Sequence, residues 1–136
     1  SNYMNYHENT RINLIIKNLL NKKGLDILLM DLRGLSDSAD FFILCTGTSD
    51  QHVKSLSEDL SDQLKQFGDP PWHIEGAETR RWMLLDFVDI VVHVFRQEAR
   101  EFYALERLWG DAEFQEFKED FEPEARSRSP FEFSET

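Results

Sequence analysis

A chain of 136 residues, 40% apolar and 30% charged, is long enough for one domain with a substantial core, and its 11 Phe make that core aromatic-rich. No apolar run nears the roughly 20 residues of a membrane helix, the first residues lack the basic-then-apolar layout of a secretory signal, and one cysteine, Cys45, is too few for a disulfide framework or a multi-cysteine zinc site. Its 26 acidic residues against 15 basic ones, a net charge of −11, argue against a phosphate grip as the main contact and suit a basic protein partner.

Residues 1–8, in which Ser1-Asn2 before Met4 reads as a tag remnant, are expected to be a flexible N-terminus. A first helix is predicted over 10–23, where Ile12, Ile15, Ile16, Leu19 and Leu20 recur at helical spacing behind a cap at Asn9 or Thr10. Leu25 to Leu32 is apolar on both parities, as in a strand covered on both faces. After the Gly/Ser/Asp turn from Arg33 to Ala39, Phe41 to Thr46 is a second such strand. It leads through Gly47-Thr48-Ser49 into a helix over about Gln51 to Phe67, with Val53, Leu56, Leu60 and Leu64 as its buried stripe. Gly68 and Pro70-Pro71 end that helix.

A short strand is expected at His73 to Glu75, and a loop at Gly76 to Arg80. Arg81 to Phe87 and Ile90 to Phe95 lie too close together for a crossover, so they form an antiparallel hairpin. A last helix is predicted from about Glu98 to Trp109, burying Ala99, Phe102, Tyr103, Leu105 and Leu108. The domain is drawn over 9–112. Residues 113–136 carry eight acids against Lys118, Arg126 and Arg128, a local net of −5 that leaves −6 for the rest. The spacing of Phe114, Phe117 and Phe121 predicts a helix over 113–122, and the remainder of this acidic extension is expected to be disordered.

Features that suggest enzyme chemistry each have a plainer explanation. Ser49 next to His52 reads as a helix cap with a first-turn histidine. The Gly47-Thr48-Ser49 turn resembles the opening of a nucleotidyltransferase site, which also needs two carboxylates converging on metal ions. Asp86 and Asp89 stand three apart around a turn, which does not supply them. His93 sits inside an apolar strand and reads as a hydrogen-bonded core residue, and Cys45 as a small buried hydrophobe. No His/Cys spacing offers a metal site, and no cofactor is expected.

The stretch Trp82 to Phe87 is the most informative. Alternation puts Met83, Leu85 and Phe87 toward the core, and Trp82, Leu84 and Asp86 on the other face. Large apolar groups beside a charge have the composition of an interaction hot spot, and Glu75, Glu78, Asp86 and Asp89 surround it with negative charge.

The chain from Asp31 to Asp111 resembles the Iojap-like ribosomal silencing factors. The matching pieces, in order, are Ser36 with Ala39-Asp40-Phe41-Phe42-Ile43, Thr46-Gly47-Thr48-Ser49 with His52-Val53, and Glu75-Gly76. Then follow Trp82 with Leu84-Leu85-Asp86, Asp89 with Val91-Val92-His93-Val94-Phe95, and Arg100, Tyr103, Leu105-Glu106 and Leu108-Trp109. The chain departs at Val88, where the family usually has Gly; a β-branched residue there argues against a tight positive-φ turn.

The resemblance implies an α/β fold, a mixed β-sheet flanked by helices, nucleotidyltransferase-like in topology but without the catalytic carboxylates. It implies a cytoplasmic, non-catalytic factor that binds the large ribosomal subunit through its basic protein number fourteen. Occupying that place blocks subunit joining and represses translation when nutrients are scarce. The family's partner-contacting tryptophan maps onto Trp82, with Asp86, Phe87 and Asp89 around it; Leu84, Glu75 and Glu78 are added from strand parity and charge. The competing expectation is a nucleotidyltransferase-like nucleotide binder or enzyme. An exposed apolar patch at Trp82 also fits a homodimer.

Overall fold

The computed structural model describes residues 8–118. The N-terminus up to residue 7, expected to be flexible, and the tail from residue 119 with Phe121 lie outside the described residues. Helix α1 (Thr10–Asn21) begins where the Asn9 side chain accepts a hydrogen bond from the Ile12 N–H, and it buries Ile12, Ile15, Ile16 and Leu19 completely. Helix α2 (Asp50–Gln66) is capped in the same way by Ser49, which accepts from the His52 N–H, and all four residues of its predicted stripe are buried. No helix among the described residues is long and apolar enough to cross a membrane.

Among the described residues six strands form one mixed sheet: β1 (Leu25–Asp31), β2 (Phe41–Gly47), β3 (His73–Glu75), β4 (Trp82–Asp86), β5 (Ile90–Arg96) and β6 (Glu113–Phe117), in the order β3-β4-β5-β2-β1-β6. Only the central pair, β2 with β5, is parallel, because α2 returns the chain across the sheet between them. The predicted β4–β5 hairpin is antiparallel, with Trp82 opposite Phe95 and Leu84 opposite His93. Helices α1 and α2 cover one face, over a core that includes Leu29, Ile43, Cys45, Leu85, Val92 and Val94. The other face carries a smaller cluster of Leu28, Met30, Leu44 and Phe95, roofed by Leu105. Burial pushes the Cys45 thiol up to about 12, so it packs as a hydrophobe.

Three expectations are corrected. The helix predicted from Glu98 to Trp109 is two short ones, α3 (Gln97–Tyr103) and α4 (Leu105–Leu108), broken at Ala104, which is left-handed with φ +47°. Phe102, Tyr103 and Leu108, expected to be buried, are therefore exposed at 80%, 48% and 67%, and Leu105 turns into the core. Residues six apart on a straight helix face different sides. The break instead brings the Glu106 carboxylate back to Arg100 Nε at 3.3 Å, while Arg100 Nη1 donates to the Asp26 carbonyl and the Thr46 hydroxyl at 2.7 and 2.8 Å.

Residues 113–117 form strand β6 rather than part of a helix, and Phe117 is buried opposite Ile27, so the sheet runs past residue 112. Strand β1 is apolar on both faces, and without β6 it would present an unpaired edge; that demand outweighs the Phe spacing. Finally, Val88 does take a positive φ, +80°, in a three-residue turn closed by Asp89 N–H to Phe87 C=O at 3.1 Å. The Asp86 carboxylate accepts from the Val88 N–H at 2.7 Å and holds the turn in place of a glycine's freedom.

Candidate partner-docking face

Strand β4 alternates as its sequence predicts. Met83 and Leu85 are buried toward the helices, and Trp82, Leu84 and Asp86 are half-buried on the opposite face. Cross-strand pairing extends that face: Glu75 lies opposite Leu84, His73 opposite Asp86, and Val91, on the other side, also opposite Asp86. Helices α3 and α4 roof this side only in part, since Leu84, Asp86 and Val91 stay partly exposed and Glu75 is open to solvent. The result is an apolar strip with carboxylates at its rim. The His73 ring engages the Glu75 carboxylate at 2.8 Å, which leaves one further oxygen on that acid at the rim.

Trp82 is held from behind. Its indole Nε1–H donates to His93 Nδ1 at 3.0 Å, and its ring packs on Tyr103 and Phe95 at 4.3 and 5.7 Å between centroids. His93 in turn packs on Phe42 at 4.5 Å, and Phe42 meets the edge of Trp109 at 5.2 Å. Burial lowers the His93 pKa to about 3, so the ring is neutral, and accepting at Nδ1 places its proton on Nε2. That nitrogen is buried and has no hydrogen-bond partner among the described residues.

The predicted site residues divide. Trp82, Leu84, Asp86 and Glu75 share the face, and Glu78 is exposed on the loop leading to it. That loop needs Gly76, with φ +91°, because a Cβ there would come within 2.0 Å of the Trp82 carbonyl oxygen. Phe87 does not belong to the face: it is 3% exposed in the core under the helices, as parity rather than the family resemblance implied. Asp89 does not either. Its carboxylate takes both Nη1 bonds of Arg11 at 2.7 and 2.9 Å, and its carbonyl accepts from the Asp40 and Phe41 N–H groups, so it pins α1 to the hairpin.

The alternative nucleotide site is occupied by structural duties. Gly47 is required by close approach, since a Cβ there would lie 2.8 Å from the Val53 side chain. The Ser49 hydroxyl caps α2, while the His52 ring accepts from the Thr48 N–H at 2.9 Å and donates from Nε2 to the Lys22 carbonyl at 2.9 Å. Asp86 and Asp89 serve different groups on opposite sides of the turn. Among the described residues no group of three or more His, Cys, Asp or Glu converges as metal ligands would.

Sequence reasoning missed Phe42, Tyr103 and Trp109 as part of the face. Strand parity against Phe41 and Ile43 was enough to find Phe42. Tyr103 and Trp109 depend on the break at Ala104, which periodicity conceals.

The family described as "Ribosomal silencing factor during starvation" matches residues 5–135. A Bacillus subtilis protein named ribosomal silencing factor RsfS is 43% identical over 91 residues, 67% of this chain and 77% of that protein. The maize chloroplast protein Iojap is 36% identical over 93 residues, 66% of this chain and 39% of its own length. A crystal structure from Chromobacterium violaceum superposes with a TM-score of 0.71 at 36% identity, covering 74% of this chain and 83% of that one.

Proposed function

The chain belongs to the ribosomal silencing factor family, and from that premise we propose that it binds the large ribosomal subunit at its basic protein number fourteen and blocks joining of the small subunit. Translation then falls when nutrients are scarce. The action is steric and cytoplasmic and requires no reacting group on this chain. One observation carries the reading: Trp82 and Leu84 lie partly exposed on a sheet face whose rim is the acids Asp86 and Glu75. An apolar centre ringed by one sign of charge fits a basic protein surface, the apolar part supplying affinity and the acids orientation and rate. A patch of about 800 Å² on each partner suffices for specific docking. The chain's overall charge of −11 opposes direct grip on ribosomal RNA and favours the basic protein.

Co-sedimentation with purified large subunits, with small subunits as the parallel control, tests this. The wild-type chain should pellet with large subunits only. Trp82→Ala should weaken that binding by about 2 kcal/mol or more while circular dichroism shows the fold retained. Pelleting with neither subunit at moderate salt sinks the proposal. A second copy of the chain is the competing occupant of the same face, and light scattering on dilution separates that case.

A further inference from the structure

His93 is buried at 3% exposure among Trp82, Phe42 and Phe95, in the middle of the docking face, yet it is a poor choice for a purely structural position. A buried donor with no partner weakens a fold, and Nε2–H is such a donor. A phenylalanine would fill a similar flat volume against the same rings with no polar atom to satisfy. What a phenylalanine lacks is the Nδ1 acceptor, and that atom makes one hydrogen bond, to the Trp82 indole N–H at 3.0 Å.

The indole needs that bond to be fixed. Trp82 is half-buried at the start of β4, where the Gly76–Arg80 loop hands the chain into the strand. The rings around it, Phe95, Tyr103 and His93, meet it at tilted angles of 36° to 48°, contacts that are tolerant of rotation. The hydrogen bond is directional and selects one rotamer.

We propose that His93 is a positioning residue: its Nδ1 holds the Trp82 indole in the orientation that the docking face presents to its partner, so that a large apolar group meets the partner without first losing rotamer freedom. Ordering a side chain before binding lowers the cost of association, and the gain appears mainly as slower dissociation. The significance for binding rests on the large-subunit reading above; the positioning itself does not.

Two variants of the full chain decide it. His93→Phe keeps the ring and removes the acceptor; His93→Asn restores an oxygen acceptor near the place of Nδ1. In the free protein, labelled with ¹⁵N, the Trp82 indole N–H resonance is assigned by its loss in Trp82→Phe, since Trp72 and Trp109 give the others. It should shift and exchange faster with water in His93→Phe, and return toward the wild-type position in His93→Asn. On large subunits, His93→Phe should dissociate about three- to tenfold faster, the worth of one hydrogen bond, and His93→Asn should recover most of that loss. The melting temperature of His93→Phe should equal or exceed that of the wild type, an outcome that a merely structural histidine does not give.

An unmoved indole resonance in His93→Phe overturns the proposal, as does wild-type dissociation from the subunit. Melting and binding falling together, with no rescue by His93→Asn, also overturns it and makes His93 a packing residue. If the wild-type chain fails to bind large subunits at all, the functional reading falls, and the indole resonance alone still decides whether His93 positions Trp82.

Discussion

Replacing His93 by Phe should change how stability depends on pH, and the size of the change follows from burial. In the folded chain, loss of hydration takes the His93 pKa from 6.5 down to about 3. The unfolded chain accepts a proton on this ring below about pH 6.5, and the folded chain does not until near pH 3, so the unfolded state binds more protons throughout that window. Stability therefore falls as pH drops below 6.5, by about 1.4 kcal/mol per pH unit once the unfolded histidine is fully charged. At pH 7.5 the effect is negligible; at pH 5.0 it amounts to about 2 kcal/mol. Urea unfolding of the wild type and His93→Phe at both pH values isolates this group, because every other titrating residue is shared. The variant should gain on the wild type by about 2 kcal/mol between pH 7.5 and 5.0. If both chains lose stability in parallel, His93 is accessible to protons in the fold, and the burial argument, with the neutral Nδ1 acceptor it provides, is refuted.

Arg100→Met should destabilise by about 2 to 4 kcal/mol, because it strips the Asp26 carbonyl and the Thr46 hydroxyl of their donor in a buried place; chemical denaturation measures it. Val88→Gly should leave binding unchanged and raise stability by up to about 1 kcal/mol, since the left-handed turn strains a β-branched residue and suits glycine, and the same denaturation experiment reads the gain. Asp86→Lys should slow association with large subunits about tenfold at low salt, with the defect shrinking as salt rises; an effect independent of salt would remove Asp86 from the charged rim.

Much of this fold was legible because its signals are local. The stripes of α1 and α2 are fixed by helical spacing and by caps at Asn9 and Ser49, and each is satisfied within a few residues. The both-parity apolar runs of β1, β2 and β5 announce strands covered on two sides, and at least four consecutive residues in each are buried. The failures are places where a distant residue decides. The segment Phe102-Tyr103-Ala104-Leu105 has unbroken helical spacing, and nothing local signals a left-handed Ala104. Arg100 holds the break through the Asp26 carbonyl, 74 residues away in sequence. Residues 113–117 fit a helix by spacing and a strand by need, and the need is the open edge of β1, more than 80 residues earlier.

The candidate docking face shows the same division between local and distant causes. Alternation along β4 was sufficient to separate Trp82, Leu84 and Asp86 from Met83 and Leu85, because the side-chain period of a strand is fixed by its backbone. It also placed Phe87 correctly in the core, where the family resemblance had put it among the contacts. Between Asp86 and Asp89, however, the sequence offers no distinction: both are acids flanking one turn beside the same tryptophan. The difference is Arg11, 78 residues away, which pairs with the Asp89 carboxylate and ties it to α1. Among the described residues the Asp86 carboxylate has one local donor, the Val88 N–H, on one of its oxygens, and so keeps acceptor capacity on the open side. Charge beside an aromatic is therefore a docking signal only once the cations of the same chain have been placed, and the acids left over after that pairing are the ones that a basic partner can use.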